Sequence, residues 1–315
     1  MLLGAFERLP DGQDDRAFEG LLYIDSTVRK PPWYAAILES IAERRPKSYW
    51  IPYHLGTYQA QGNNEQDIRK ALVFFDRAMA NIQNAKRDPD VQRAWVDYGR
   101  AQAYWHLVVY GAPEDRKGNA EQAASLLEDL AKRVTGASNA KPNGVQPALA
   151  DIYNLLGSVY YDGLFRYKTA YETFKQVVAL KSDNVDYRTG FAEACLGAED
   201  FEEARGQAGR LLADLPDSQA LTADEQLAMR FVVIASLILQ GHTNEARKEL
   251  DGLVAYYNGV PDQDKSGWSY KGTRHFLEER AMPEDQRQLL RNLLLVLEQP
   301  RPDITIEQIT ARSSP

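Results

Sequence analysis

Val185 to Ser218 reads VDYRTGFAEACLGAEDFEEARGQAGRLLADLPDS, a 34-residue stretch that decides the fold. Small residues, Ala192 and Ala204, stand among larger apolar ones, Phe191, Cys195, Phe201 and Leu211, and Pro216 closes the stretch. The preceding segment, Ala150 to Asn184, repeats the pattern with Tyr153, Leu156, Gly157 and Tyr160, then Ala170, Phe174 and Val177. It carries one extra residue in its turn, around Gly163 to Tyr167. The segment from Leu227 repeats it again with Val233, Ile234, Leu237, Gly241, Ala246, Leu250 and Leu253. A small residue such as Gly157, Ala192 or Ala204 lets two antiparallel helices approach closely, while larger residues three and four positions away fill the space beside it. One hairpin cannot bury its apolar face alone, so such units are expected in rows.

The 34-residue unit resembles a tetratricopeptide repeat. Phe191, Ala192 and Cys195 fall where that repeat packs its first helix, Phe201 and Ala204 at the turn and start of the second, and Ala208 and Leu211 along its inner face. Two degenerate units precede the three clear ones. In the first, Leu55 and Gly56 lead through a polar turn, QGNNEQD, to Ala71, Phe75 and Ala78; in the second, Tyr98 and Gly99 lead through GAPEDRKGN to Ala123, Leu127 and Leu130. The expected fold is all-α, an α-solenoid of tetratricopeptide-like antiparallel hairpins with flanking helices. Residues 1–48 form an N-terminal segment with a helix over Trp33 to Arg45, and 49–258 the repeats, with a loop over residues 136–147. Residues 259–299 form a loop and a capping helix starting at Pro283, and 300–315 a disordered tail or linker. Strand alternation is not visible.

Net charge is −8 over 315 residues, with a pI near 5.2 and no long run of Lys or Arg, so the basic footprint of a phosphate-backbone binder is missing and nucleic acid is not expected. The single cysteine, Cys195, excludes an internal disulfide and a cysteine-based metal site, and its packing position reads as a small buried hydrophobe. The first ten residues lack the apolar stretch of a signal peptide, and the longest apolar run, Phe231 to Leu239, is far shorter than a bilayer span. A soluble cytoplasmic protein is the expectation.

Residues 262–273, DQDKSGWSYKGT, open like a calcium-binding loop with Asp262, Asp264, Ser266 and Gly267, but end on Thr273 where a bidentate glutamate is needed. His54, His106, His242 and His275 are scattered, without the helix-face spacing of a zinc pair. Lys271, Gly272 and Thr273 match only the last letters of a phosphate loop, and no nucleophile elbow occurs. No cofactor, no metal and no catalytic residue is expected.

In the repeat register the first helix of each unit lines an inner wall. Its wall-facing positions are Tyr53, Thr57, Arg93, Arg100 and Tyr104 in the first two units, Asn154, Ser158 and Tyr161 in the third, and Glu193 in the fourth. The matching positions of the last unit, Phe231, Ala235 and Ile238, are apolar and expected to be buried. The tyrosines would supply contact area and the arginines would pair with an acidic ligand. The set departs from the Lys and Asn pattern by which chaperone-binding relatives clamp a peptide C-terminus. The expectation is a scaffold or sensor module of a regulatory assembly, holding a protein or peptide. Alternatives are a glycan or small-molecule binder using the aromatics, and a helical enzyme without a recognisable motif. The C-terminal helix carries more than one apolar stripe between Leu289 and Leu297, so Leu290 and Leu294 are expected to meet a second copy or a partner, while Trp268, Tyr270 and Phe276 before it need cover and could fold back as a lid.

Overall fold

The computed structural model describes residues 33–84, 88–137, 147–213, 221–265, 267–299 and 302–310. The described residues hold fourteen α-helices and no β-strand. The chain divides into two compact units between Ile152 and Tyr153, at the start of the third repeat.

Unit 1 contains α1 (Trp33–Arg44), α2 (Trp50–Ala60), α3 (Glu65–Ala80), α4 (Pro89–Tyr110) and α5 (Arg116–Ala137). Both turns expected to be long are short. Helix α3 starts inside QGNNEQD, because the Asn64 side chain caps the Asp67 N–H at 2.9 Å and Glu65 and Asp67 sit favourably in its first turn. Within GAPEDRKGN only Gly111–Asp115 turns, and the polar residues after it lie in the first turn of α5.

Each of these helices packs on the next, and α2 also meets α4, as first helices of successive hairpins do. A single aromatic ring explains the spacing. Phe75 of α3 is fully buried, and a Cβ added at Gly56 of α2 or Gly99 of α4 would come within 2.8 Å and 2.6 Å of its ring. Only glycine at both positions leaves room for that ring between the two first helices.

Helix α6 (Leu149–Ser158) straddles the boundary; in unit 2 follow α7 (Tyr167–Leu180), α8 (Val185–Gly197), α9 (Phe201–Ala213), α10 (Ala223–Leu239) and α11 (Thr243–Gly259). The same device recurs. Phe174 of α7 lies between Gly157 of α6 and Gly190 of α8, whose added Cβ atoms would come within 2.7 Å and 2.5 Å of the ring. Ala204, Ala208 and Leu211 of α9 are buried against their neighbours, and Phe231, Ala235 and Ile238 of α10 are buried as expected.

The extra residue of the third repeat is absorbed by a π-helical turn, Val159–Gly163, continuing α6. It closes with Leu164 N donating to Val159 O (3.0 Å) and Arg166 N to Tyr160 O (2.8 Å), and leaves Phe165 at φ +54°, where its ring stacks on His275 at 3.8 Å.

The C-terminal part folds back over unit 2 through α12 (Lys271–Glu279), α13 (Glu284–Glu298) and α14 (Ile306–Thr310). Two expectations are corrected here. Leu290 and Leu294 are buried within the chain, at 0% and 2% exposure, because α10, α12 and α14 together cover their side of α13; neither side chain is free to meet the second copy or partner expected there. The stretch expected as a disordered tail instead carries α14, with Ile304 and Ile309 buried, because those two side chains complete the cover of α11 and α13.

Candidate functional site

In unit 2 the packing of α6, α8 and α10 beneath the fold-back leaves a cavity of about 260 Å³, and four of the wall positions read from sequence, Asn154, Ser158, Tyr161 and Glu193, line it together. Its other polar lining comes from Asp162, Asp186, Thr189 and Glu225, and its roof from Gly267, Trp268 and Ser269. The helix-to-helix approach fixed by Phe174 sets the width, since Phe174 and Gly190 form its floor.

The π-turn turns Tyr161 and Asp162 toward the fold-back. Tyr161 OH lies 3.0 Å from Thr273 Oγ1, and Gly272 N donates to Asp162 Oδ1 at 2.7 Å. Tyr167 OH donates to Gly272 O at 3.0 Å. Gly272 is required at this contact: a Cβ there would clash with the Tyr161 ring. On the opposite wall Trp268 Nε1 donates to Glu193 Oε1 at 2.8 Å.

The electrostatics are one-sided. Four carboxylates, Asp162, Asp186, Glu193 and Glu225, line the cavity without a basic residue in its lining. Burial pushes the pKa of Glu193 well up, the neighbouring Asp162 charge pushes it further, and only the Trp268 indole opposes the shift. Asp162 is raised to about 6 by burial, against the Gly272 N–H, Lys271 and Ser269, which favour its charged form. Burial likewise raises Tyr161 and Tyr270, which stay neutral. A cavity of this kind can accept hydrogen bonds and compensate positive charge.

The wall positions of unit 1 have other surroundings. Tyr53 packs in an aromatic cluster, stacked on Tyr49 at 5.9 Å and tilted against Phe75 at 6.2 Å, with its pKa raised to about 12 by burial. Thr57 Oγ1 donates to the Tyr53 carbonyl at 3.1 Å, and Tyr104 packs half-buried against the same core. Arg100, expected to meet an acidic ligand, is already paired with Asp76 at 3.4 Å and Asp97 at 4.0 Å. The buried Asp97 also takes Arg133 at 2.5 Å. Arg93 is exposed and, with Lys132 and Arg133, borders a separate cleft of about 680 Å³ between α4 and α5.

Sequence reading missed Asp162, Asp186, Thr189, Glu225 and the roof. Trp268 stood out as an aromatic needing cover, whereas Asp162 is aimed by the π-turn and Glu225 by the start of α10, where its side chain accepts from Thr222 N at 2.7 Å. Asp262 and Asp264, which open the calcium-like stretch, stand in a short 3-10 turn, and Asp262 accepts from Lys265 Nζ at 2.8 Å. Among the described residues no group of three or more His, Cys, Asp or Glu side chains is placed to hold a metal ion.

The tetratricopeptide repeat model matches residues 164–227, which run from the end of the π-turn through α7, α8 and α9 to the start of α10. The chain is a tetratricopeptide-like repeat protein. No curated protein matches the sequence. Tetratricopeptide repeats generally mediate protein–protein interaction, which supports a binding-scaffold role. Among the described residues no helix is long and apolar enough to cross a membrane.

Proposed function

We propose that this tetratricopeptide-like protein is a scaffold that holds a partner polypeptide at the wall of unit 2, with a basic side chain of the partner entering the cavity beside Glu193. The observation that carries this reading is the state of Glu193: 93% buried by its 7% exposure, charged only at a cost, and met by a single neutral donor. A lysine or arginine from a partner would supply the missing positive charge, and the Trp268 ring beside it offers a π face. At about 260 Å³ the cavity lies just under the range of roughly 300–1,000 Å³ usual for small-molecule sites, which favours one side chain over a whole ligand. The chain's own residues 268–273 already hydrogen-bond to this wall, so the wall can hold polypeptide.

The expectation of an acidic ligand gives way to a basic one for unit 2, because Arg100 is neutralised inside unit 1 while the cavity is lined by four carboxylates and no basic residue. The test is an array of peptides, basic and acidic, probed with the full chain and with a Glu193→Gln, Glu225→Gln variant. Retention of Lys- or Arg-bearing peptides by the parent, weakened about tenfold or more in the variant, is expected for a desolvated charge-assisted pair. Preference for acidic peptides, or equal binding by parent and variant, would overturn the reading.

A further inference from the structure

Residues 302–310, PDITIEQIT, lie against α11 and α13 in the manner of a bound peptide. The Asn258 carboxamide pairs with both backbone groups of Ile304: Nδ2 donates to Ile304 O at 3.0 Å, and Oδ1 accepts from Ile304 N at 2.9 Å. Lys265, itself 2% exposed, donates from Nζ to Pro302 O at 2.6 Å while lying over the Tyr257 ring. Asn292 Nδ2 donates to Ile309 O at 2.8 Å. Thr305 and Gln308 cap the short turn reciprocally, Thr305 N donating to Gln308 Oε1 and Gln308 N to Thr305 Oγ1.

Side-chain recognition is confined to two positions. Ile304 and Ile309 are 1% and 0% exposed; Ile306 is half-buried, and the remaining residues of the segment are exposed. Main-chain pairing supplemented by pockets for a few side chains is how grooves capture linear segments of other proteins. A five-residue helix has no stability of its own, and ordering the segment opposes the burial of two side chains.

We infer that the cradle formed by Asn258, Tyr257, Lys265 and Asn292 is a peptide-binding site occupied in cis by the chain's own tail. Its ligand in trans is a segment of a partner protein that presents two branched aliphatic side chains five residues apart, the first extended and the second at the end of a capped turn. A second copy of this chain is the weaker candidate, because exchanging identical tails replaces each contact by the same contact and adds the cost of association. The inference is independent of the cavity beside Glu193: none of the cradle residues lines it.

The test uses the full chain with Ile304→Asp and Ile309→Asp, which releases the tail and leaves Asn258, Tyr257, Lys265 and Asn292 unsubstituted. A fluorescent PDITIEQIT peptide should bind this variant, and bind the parent at least about tenfold more weakly, since the tethered tail competes at high effective concentration. Adding Asn258→Ala to the released-tail variant should lower peptide affinity about tenfold. A released-tail variant that keeps its helical circular dichroism and binds no peptide would sink the inference, as would equal binding by parent and variant. Hydrogen exchange on the parent supplies a check that needs no variant. The Ile304 and Ile309 amides should exchange at least about a hundredfold faster than those inside α11, through local opening. Exchange of both at the rate of α11 would make the tail an inseparable part of unit 2. A parent dimer that excess peptide dissolves would place a second copy, not a partner, in the cradle.

Discussion

Asp97 in unit 1 and Glu193 in unit 2 are buried to the same extent, each 7% exposed on the first helix of a hairpin, yet their surroundings are opposite. Arg100 and Arg133 bracket Asp97, whereas Glu193 has an indole N–H and a second carboxylate, Asp162, nearby. The frames that carry them are the same, a phenylalanine of the second helix lodged between glycines of two first helices, Phe75 in one unit and Phe174 in the other. One scaffold rule thus supports both a self-neutralised wall and a wall left short of positive charge. The difference lies in side chains that take no part in the rule: Asp97 and Arg100 stand beside Gly99, and Glu193 stands three positions after Gly190. The rule specifies fold and leaves binding free to vary.

The largest effects test the shared frame. Phe75→Ala and Phe174→Ala should each lower stability by about 3–5 kcal/mol, since the glycine notches cannot collapse onto the vacated space, and chemical denaturation measures it. Gly190→Ala gains about 1 kcal/mol of helix propensity but forces a methyl to 2.5 Å from the Phe174 ring. Overpacking costs about 1–3 kcal/mol, so net loss is expected, with recovery when Phe174→Leu is added. An additive double mutant would show that the contact does not set the spacing.

The next effect separates the two carboxylates. Asp97→Asn should destabilise by about 1–3 kcal/mol, short of a fully buried pair because Arg100 and Arg133 are 27% and 41% exposed. Glu193→Gln should leave stability unchanged or raise it, since the amide oxygen still accepts from Trp268 and no charge is buried. Thermal melts of the two variants that shift in the same direction would erase the contrast.

The smallest effect is in pH. Asp162 and Glu193 have folded-state pKa values raised above their unfolded ones, so the stability linked to them is fully present below about pH 4. It is lost as pH rises through the folded values, for Asp162 through about 6. Relative to an Asp162→Asn variant, the parent should therefore lose on the order of 1 kcal/mol between pH 5 and pH 7.5, read from denaturation midpoints. A difference independent of pH would mean that Asp162 is not desolvated by the fold-back.

By itself the sequence determined the helical class and picked out small residues that the fold buries, because Gly157, Ala192 and Ala204 act through local spacing and shape, which periodicity records. It also put Asn154, Ser158, Tyr161 and Glu193 on one wall, and those four do line one cavity. The charge of that cavity was not legible. Asp162 reaches it through a π-turn, Glu225 from a later helix, and Trp268 from a segment 75 residues beyond Glu193. The covering of Leu290 and Leu294 depended in the same way on Ile304 and Ile309 docking from a stretch that reads as a tail. Partner choice among buried groups is a sum over neighbours distant in the chain, and only the tertiary structure brings those neighbours together.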